Sequence, residues 1–290
     1  MTYDLFIGDR SFSSWSLRGW LMFEQFGLPV KTHLLDLYGD NFARDLAALS
    51  PARLVPAMRT PDGDIIGETL AMAEMLAERH PDANMWPNTP SARTMARWMA
   101  AEMHAGFVDL RSACPMQLLH QYQEFAVTPA VQRDLDRIAL LFKEAQARRV
   151  EEGPWLFGRY SIADAFYAPV AARIAGYGLT VDGPVKAYVD TTLNDPAFRR
   201  WRALGLTRSY DPVPYALDLP TARWPGPSPL PAKAVEVGTP INQFCPFSGK
   251  PVAHLAEVAG QTLGFCNPTC RDKTVNDAEA WPAVMALLQP

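Results

Sequence analysis

The chain has 290 residues, of which 48% are hydrophobic, and a formal net charge of -4 at neutral pH. This length and composition are sufficient for a large buried core and predict two or three domains. No block of lysine or arginine marks a surface for nucleic acid or an anionic membrane, so neither partner is expected. The N-terminus MTYDLFIGD lacks the features of a secretory signal, and we expect a cytoplasmic protein.

Residues 1–82 are predicted to form a small α/β domain. Strand-like runs alternate there with helical patterns, from YDLFI and SLRGWLMFEQFG to DIIG and ETLAMAEMLAERH. The proline- and asparagine-rich stretch PDANMWPNTP predicts the loop that ends this domain.

The rest of the chain is predicted to hold three further segments. Helical periodicity, including one helix over SARTMARWMAAEMHAGFVDLR, predicts an all-helical domain over residues 90–210. Residues 211–240 are rich in proline and predict an extended linker. Residues 241–290 carry their own cysteine pattern and are expected to form a small separate module.

The segment RSFSSWSLRGW places four serines where the first helix begins. A serine there caps a helix by accepting a hydrogen bond from a free backbone N–H group. A helix N-terminus also favours an anion, and a hydroxyl donor can lower the pKa of a thiol. Four hydroxyls exceed what one cap needs, so both uses stay open.

Three other motifs accompany the serines. Pro56 stands inside a strand-like run, as an edge residue or in a turn with a cis peptide bond. Glu68 and Thr69 begin a helix and offer an acceptor and a hydroxyl beside free N–H groups. Ser161 and Asp164 have the spacing of a capping box.

Together these motifs resemble the cytosolic glutathione S-transferases, over residues 1 to about 210. The resemblance implies a thioredoxin-like first domain, an all-helical second domain, glutathione as co-substrate and a homodimer. SSWS followed by Arg18 is similar to the S-S-C-S segment of the zeta class, which holds maleylacetoacetate isomerases. Counting back from Gly27 places the catalytic serine at Ser13, with Ser11 and Ser14 as alternatives.

The resemblance also implies which residues bind glutathione and the electrophile. Ser13 would donate a hydrogen bond to the sulfur, and the other glutathione contacts would come from Ser14, Arg53, Val55, Pro56, Glu68 and Thr69. The electrophile would lie against the first helix of the helical domain. Its candidate contacts are Trp15, which replaces the zeta cysteine, and a stripe of His104, Phe107 and Arg111, in which Arg111 could bind a carboxylate. Such a stripe is also typical of a core or a row of surface ion pairs.

Three of the four cysteines lie in the C-terminal segment. Twenty residues separate Cys245 from Cys266, and three separate Cys266 from Cys270. This spacing predicts either a site for a soft or borderline cation such as zinc, or three small buried side chains. The stretch resembles the TRASH/YHS-type treble-clef modules, with Phe265 before the second cysteine. His254 is the candidate fourth ligand.

We therefore expect a glutathione S-transferase that activates glutathione as a thiolate for attack on a small electrophile. A zeta-like glutathione-dependent isomerase is one alternative. Another is a non-catalytic binding or regulatory protein on the same scaffold, with a metal-binding C-terminal module. Dithiol redox chemistry is disfavoured because the start of the first helix contains no cysteine.

Overall fold

The computed structural model describes residues 2–289, which divide into two compact units. The first holds the chain up to Leu193 together with Tyr215–Pro225. The second holds Asn194–Pro214 and the chain from Gly226 onward. No helix within residues 2–289 has the length and hydropathy needed to cross a membrane.

The first unit begins with a four-stranded sheet, whose strands are β1 (Tyr3–Ile7), β2 (Val30–Leu34), β3 (Ala57–Arg59) and β4 (Ile65–Ile66). Their order in the sheet is β2-β1-β3-β4. Strands β1 and β2 are parallel, whereas the β1–β3 and β3–β4 pairs are antiparallel. The helices between and after them are α1 (Ser14–Glu24), α2 (Phe42–Ala47) and α3 (Thr69–Arg79). The predicted α/β organisation of this segment is confirmed.

Helix α1 packs closely against the turn that precedes β3. The peptide bond between Val55 and Pro56 in this turn is cis. A Cβ atom at Gly19 would lie 2.9 Å from Cγ of Pro56, so only glycine allows this approach. The packing fixes the N-terminus of α1 relative to the Val55–Pro56 turn.

The remainder of the first unit is mainly helical. After a short 3-10 turn (Pro81–Ala83), its helices are α4 (Pro90–Ala105), α5 (Val108–Ala113), α6 (Pro129–Gln146), α7 (Ile162–Gly176) and α8 (Gly183–Asn194). Two short strands, β5 (Gln121–Tyr122) and β6 (Thr221–Ala222), pair antiparallel. Helix α7 is buried along its whole length and packs against α1 and α4.

The predicted capping box at the start of α7 is confirmed. Ser161 caps the helix, and Asp164 accepts hydrogen bonds from the backbone N–H groups of Ser161 and Leu156. Burial raises the pKa of Asp164 to about 7, against the opposing effect of these hydrogen bonds.

The prediction of a single helix over residues 91–111 is wrong, because the helix is interrupted at Gly106. Gly106 adopts an extended conformation and ends α4, and Phe107 has a positive φ of 57°. A Cβ atom at Gly106 would lie 2.8 Å from the carbonyl oxygen of Glu102. The stripe of His104, Phe107 and Arg111 is therefore divided between α4, a turn and α5.

The second unit contains a three-stranded antiparallel sheet and three helices. Its elements are α9 (Pro196–Gly205), β7 (Ala232–Val235), β8 (His254–Val258), β9 (Gln261–Phe265), α10 (Pro268–Asn276), a 3-10 turn (Ala278–Ala280) and α11 (Pro282–Leu288). Its core contains Cys245, Val258, Leu263, Phe265 and Val284. Helix α9 packs against α10.

The proline-rich stretch supplies one short strand to each unit. Its residues Thr221–Ala222 form β6 in the first unit, and Ala232–Val235 form β7 in the second. Neither pairing has a clear sequence pattern, because each strand is at most four residues long.

Candidate functional site

A cavity of about 800 Å³ opens in the first unit at the N-terminus of α1. It brings together the serine segment, the Val55–Pro56 turn and the start of α3. The helical half of the same unit contributes side chains from α4, α5 and α7. The lining residues that matter for the chemistry are Ser13, Ser14, Trp15, Val55, Pro56, Glu68, Thr69, His104, Arg111 and Arg173.

Ser13 is the N-cap of α1. Its Oγ accepts a hydrogen bond from the backbone N–H of Ser16 at 3.3 Å and donates to Ser16 Oγ at 2.8 Å. Ser16 Oγ in turn accepts from the backbone N–H of Gly8 at 3.0 Å. The hydroxyls of Ser13 and Ser16 therefore fix the start of α1 to the end of β1. Ser11 is fully buried and does not line the cavity.

Ser14 is the next residue of the segment, and its hydroxyl meets a buried arginine. Arg173 Nη2 on α7 donates to Ser14 Oγ at 3.4 Å. The same guanidinium donates from Nε to the carbonyl of Cys114 at 2.9 Å and from Nη1 to that of Pro169 at 3.2 Å. Burial lowers the pKa of Arg173 to about 10, so its side chain stays charged at neutral pH.

Two more arginines flank the ring of Trp15. The guanidinium carbon of Arg18 lies 4.4 Å from the centre of this ring, and that of Arg111 lies 5.0 Å from it. Arg18 is fully buried, and none of its three nitrogens has a hydrogen-bond partner within residues 2–289. Burial is the main cause that lowers the pKa of Arg18, and the positive charges of Arg173 and Arg111 lower it further. This side of the cavity is therefore electropositive.

His104 lies beside the same tryptophan. Its ring makes an edge contact with Trp15, and its Nε2 is 3.6 Å from Oε2 of Glu68. Burial lowers the pKa of His104, opposed by Glu68 and assisted by the two arginines Arg18 and Arg111. His104 is therefore neutral at pH 7 and can donate one hydrogen bond and accept another.

The start of α3 also lines the cavity. Glu68 is the N-cap residue, and its side chain makes no capping hydrogen bond. Thr69 is 1% exposed, and its Oγ1 has no hydrogen-bond partner in the described part of the chain. A buried hydroxyl without a partner is costly, and together with the free N–H groups of the helix it suits a polar ligand group.

Comparison with known proteins finds similarity to glutathione S-transferases. A model of the glutathione S-transferase N-terminal domain matches residues 12–79. A probable maleylacetoacetate isomerase from Caenorhabditis elegans is 29% identical over 197 residues, which are 65% of this chain and 87% of that protein. The glutathione S-transferase GstA of Escherichia coli O157:H7 is 28% identical over 146 residues, or 48% of this chain and 66% of that protein. Over these residues the chain is similar to glutathione S-transferases and maleylacetoacetate isomerases.

Solved structures agree on the fold. A glutathione transferase homolog from Burkholderia, determined with bound glutathione, superposes with a TM-score of 0.53 at 20% identity, over 72% of this chain and all of that one. Omega 3C transferase from Trametes versicolor gives a TM-score of 0.52 at 18% identity, over 69% of this chain and 87% of that one. The thioredoxin-like fold with a helical second part, predicted from the sequence, is thereby confirmed.

Most of the residues predicted from the sequence line the cavity, and two do not. Arg53 is exposed and lies outside the lining, although its neighbour Leu54 belongs to it. Phe107 is buried and packs on Tyr167, at 6.4 Å between ring centres. Sequence reasoning missed Arg173. The available signal was a single arginine inside the otherwise apolar run AFYAPVAARIAG.

A second candidate site lies in the C-terminal unit. The Sγ atoms of Cys245, Cys266 and Cys270 all lie within 4.8 Å of one another. Cys266 follows β9 directly, and Cys270 is in the first turn of α10. Cys266 Sγ accepts hydrogen bonds from Ser248 Oγ at 3.1 Å and from Asn267 Nδ2 at 3.2 Å. The three thiols therefore lie together in the structure.

His254, the predicted fourth ligand, is not part of this cluster in the described residues. It begins β8 and lines a separate small cavity with Glu236 and Arg271. The fourth cysteine, Cys114, is buried in the first unit, where burial raises the pKa of its thiol to about 12. Cys114 is therefore an unreactive core side chain.

Proposed function

We propose that this protein binds glutathione in the cavity at α1 and uses its thiolate to attack a small electrophile. The observation that carries the proposal is the convergence of three polar features in one cavity. They are the hydroxyls at the α1 N-terminus, the cis Val55–Pro56 turn, and the unpartnered Thr69 hydroxyl at the α3 N-terminus. Glutathione is a thiol-bearing peptide with charged ends, and it has a group that can bind at each of these three features.

In this arrangement, Glu68 and Thr69 hold the γ-glutamyl end, and the backbone at Val55 faces the cysteinyl part. The sulfur then lies at the start of α1. A free thiol has a pKa of about 8.5, and lowering it by about two units needs roughly 2.7 kcal/mol of differential stabilisation. One charge-assisted hydrogen bond and a helix N-terminus supply energies of this order.

The electrophile lies against Trp15, His104 and Arg111. Arg111 is a cation that can pair with a carboxylate of the electrophile, and neutral His104 can orient it by hydrogen bonding. Attack forms a bond between the sulfur and the electrophilic carbon, and the electron pair moves to a leaving group or into the conjugated system. Relatives named maleylacetoacetate isomerases favour zeta-like isomerisation as the alternative reaction.

The proposal is tested by titrating glutathione into the full-length protein while following thermal unfolding. At a hundredfold excess over Kd, binding adds about 2.7 kcal/mol of stability. Glu68→Ala should weaken binding at least tenfold. Glu78→Ala is the matched control, because Glu78 lies on the same helix, is exposed and does not line the cavity.

If glutathione leaves the unfolding temperature of the wild type unchanged, the non-catalytic alternative is favoured. The resemblance further suggests a cytoplasmic homodimer. The mass of the native protein in solution tests the dimer directly.

We also propose that the C-terminal unit binds one zinc ion through Cys245, Cys266 and Cys270. Three thiolates around a tetrahedral zinc lie about 3.8 Å apart, given Zn–S bonds of about 2.3 Å. The Sγ atoms lie within 4.8 Å of one another, near this separation. Zinc would act as a structural crosslink between the Cys245 turn and the β9–α10 junction.

The test is metal analysis of the full-length protein purified without added chelator. About one equivalent of zinc is expected, and Cys266→Ala should lose it. Cys114→Ala is the control, because this cysteine lies outside the cluster. Absence of metal in the wild type after exposure to zinc would contradict the site.

A further inference from the structure

We infer that the metal site of the C-terminal unit has three protein ligands, and that its fourth position, beside Ser248, takes a thiolate from a small molecule. This inference rests on the zinc site proposed above and adds a class of ligand to it. It is independent of glutathione binding in the cavity at α1.

The described residues supply three ligands to this site and no fourth. Cys245, Cys266 and Cys270 form the cluster, and no histidine, aspartate, glutamate or further cysteine joins them within residues 2–289. Structural zinc sites have four protein ligands, whereas sites with three protein ligands keep one position for water or a substrate. The donor set of this cluster is therefore that of an open site.

Ser248 occupies the place in the sequence where a fourth cysteine would stand. Paired zinc cysteines are typically separated by about two to four residues, and two residues separate Ser248 from Cys245. Hydrogen bonds from Cys245 N to the Lys250 carbonyl at 2.8 Å and from Gly249 N to the Cys245 carbonyl at 2.9 Å close the turn. The backbone N–H groups of Phe247 and Ser248 donate to the Cys245 sulfur. The turn is thus arranged around this sulfur, and a hydroxyl replaces a second thiol.

The Ser248 side chain is directed at the cluster from an exposed position. Its Oγ donates to Cys266 Sγ at 3.1 Å and also lies within hydrogen-bonding reach of the Cys245 sulfur. The side-chain amide of Asn267, which is exposed as well, donates to Cys266 Sγ at 3.2 Å. A neutral hydroxyl is not among the usual zinc ligands, which are thiolate, imidazole and carboxylate. The position beside Ser248 is therefore left to a ligand that enters from solvent.

A thiolate suits this position because zinc is commonly bound by four thiolates. Three thiolates and a divalent cation leave a single net negative charge. The ammonium of Lys273 offsets this charge, because it acts on Cys270 and is held over the rings of Phe247 and Trp281, at 3.3 and 3.9 Å from their centres. A fourth, anionic sulfur is therefore tolerated. The thiol binds as its anion, and its proton goes to solvent.

The test uses the full-length protein, stripped of metal and loaded with one equivalent of cobalt(II), because thiolate-bound cobalt absorbs in the near ultraviolet. The probe is 2-mercaptoethanol, which lacks the charged ends that the cavity at α1 is proposed to bind. The thiolate-to-cobalt absorbance should rise by about a third, since a fourth thiolate joins three. An unchanged absorbance, or a fall caused by loss of the metal, overturns the inference. If the protein binds neither cobalt nor zinc, the proposed zinc site fails, and this inference fails with it.

Substitutions of Ser248 separate the open position from a closed one. Ser248→Cys supplies the missing thiol, so it should show the stronger absorbance before thiol is added and should not respond to it. Ser248→Ala should respond as the wild type does, because the hydroxyl is not a ligand. If Ser248→Ala does not respond, or if the wild type already matches Ser248→Cys without thiol, the inference is wrong.

Ser228→Cys is the matched control for the added thiol. Ser228 is exposed in the same unit and precedes β7. The first residue of β7 pairs with Val258, at the end of the sheet away from Cys266. This variant should therefore have the absorbance of the wild type and respond to 2-mercaptoethanol in the same way. A response lost in Ser228→Cys as well would show that an added thiol blocks the probe without filling the position, and would overturn the assignment to Ser248.

Discussion

Arg199 on α9 donates two hydrogen bonds to Asp277, from Nε to Oδ2 at 2.8 Å and from Nη2 to Oδ1 at 2.7 Å. The two side chains are 16% and 8% exposed. A bidentate, largely buried ion pair of this kind ties α9 to the turn after α10. Helix α9 and Asp277 belong to the same compact unit.

Removal of one partner leaves the other charge buried without compensation. We expect Arg199→Ala to lower the free energy of unfolding of the second unit by about 3 kcal/mol. Chemical denaturation followed by circular dichroism measures this change. Lys233→Ala, which removes an exposed pair with Glu257 in the same unit, should cost less than about 1 kcal/mol. Equal effects of the two variants would contradict the account.

Asp164 should make stability depend on pH. Its pKa of about 7 in the fold exceeds the value of about 3.9 for an unfolded chain, so the folded protein binds this proton more tightly. The contribution of Asp164 to stability is therefore present at low pH and is lost as pH rises from about 4 towards 7. The destabilisation caused by Asp164→Asn should be larger at about pH 5 than at about pH 8.

Urea unfolding of both proteins at the two pH values tests this sign. Asp136→Asn is the matched control for the same substitution at an exposed position on α6. A destabilisation by Asp164→Asn that grows with pH would show that hydrogen bonding, not burial, controls this carboxyl group.

The Trp15 side chain should contribute to the catalytic efficiency, kcat/KM, for the electrophile. Its ring contacts the guanidinium groups of Arg18 and Arg111 and the edge of His104. Cation–π contacts of this kind contribute about 0.5 to 2 kcal/mol each. Trp15→Ala should therefore reduce kcat/KM about tenfold or more, with Trp15→Phe in between. Steady-state kinetics with a carboxylated and an uncharged electrophile measure the loss, which should be larger for the carboxylated one.

Zinc removal should affect the second unit selectively. The core around Cys245 and Phe265 is small, and the proposed zinc crosslink between the Cys245 turn and the β9–α10 junction would contribute to its folding. Chelation should increase proteolytic cleavage beyond Gly226 and leave glutathione affinity unchanged. Cleavage at the same rate with and without chelator would show that this core is stable without metal.

The sequence predicted the local elements of the proposed glutathione site because each depends on residues that are close together in the chain. The serine cap of α1, the Val55–Pro56 turn and the Glu68–Thr69 helix start are all set by neighbouring residues. The same holds for the Ser161 capping box. Local hydrogen bonding and backbone restriction are readable without knowledge of the fold.

The parts that sequence reasoning missed depend on long-range packing. Arg173 reaches Ser14 from 159 positions along the chain, and nothing near either residue predicts the contact. The break at Gly106 depends on the tight approach to the Glu102 carbonyl. Sequence periodicity continues across this break, so it favours one helix where the structure has two.

The measurement that tests the central claim most directly is an ultraviolet titration of glutathione bound to the wild-type protein. The account predicts a bound thiol pKa about two units below the free value of about 8.5. A bound pKa equal to the free value, or no saturable binding, would contradict thiolate activation at the start of α1.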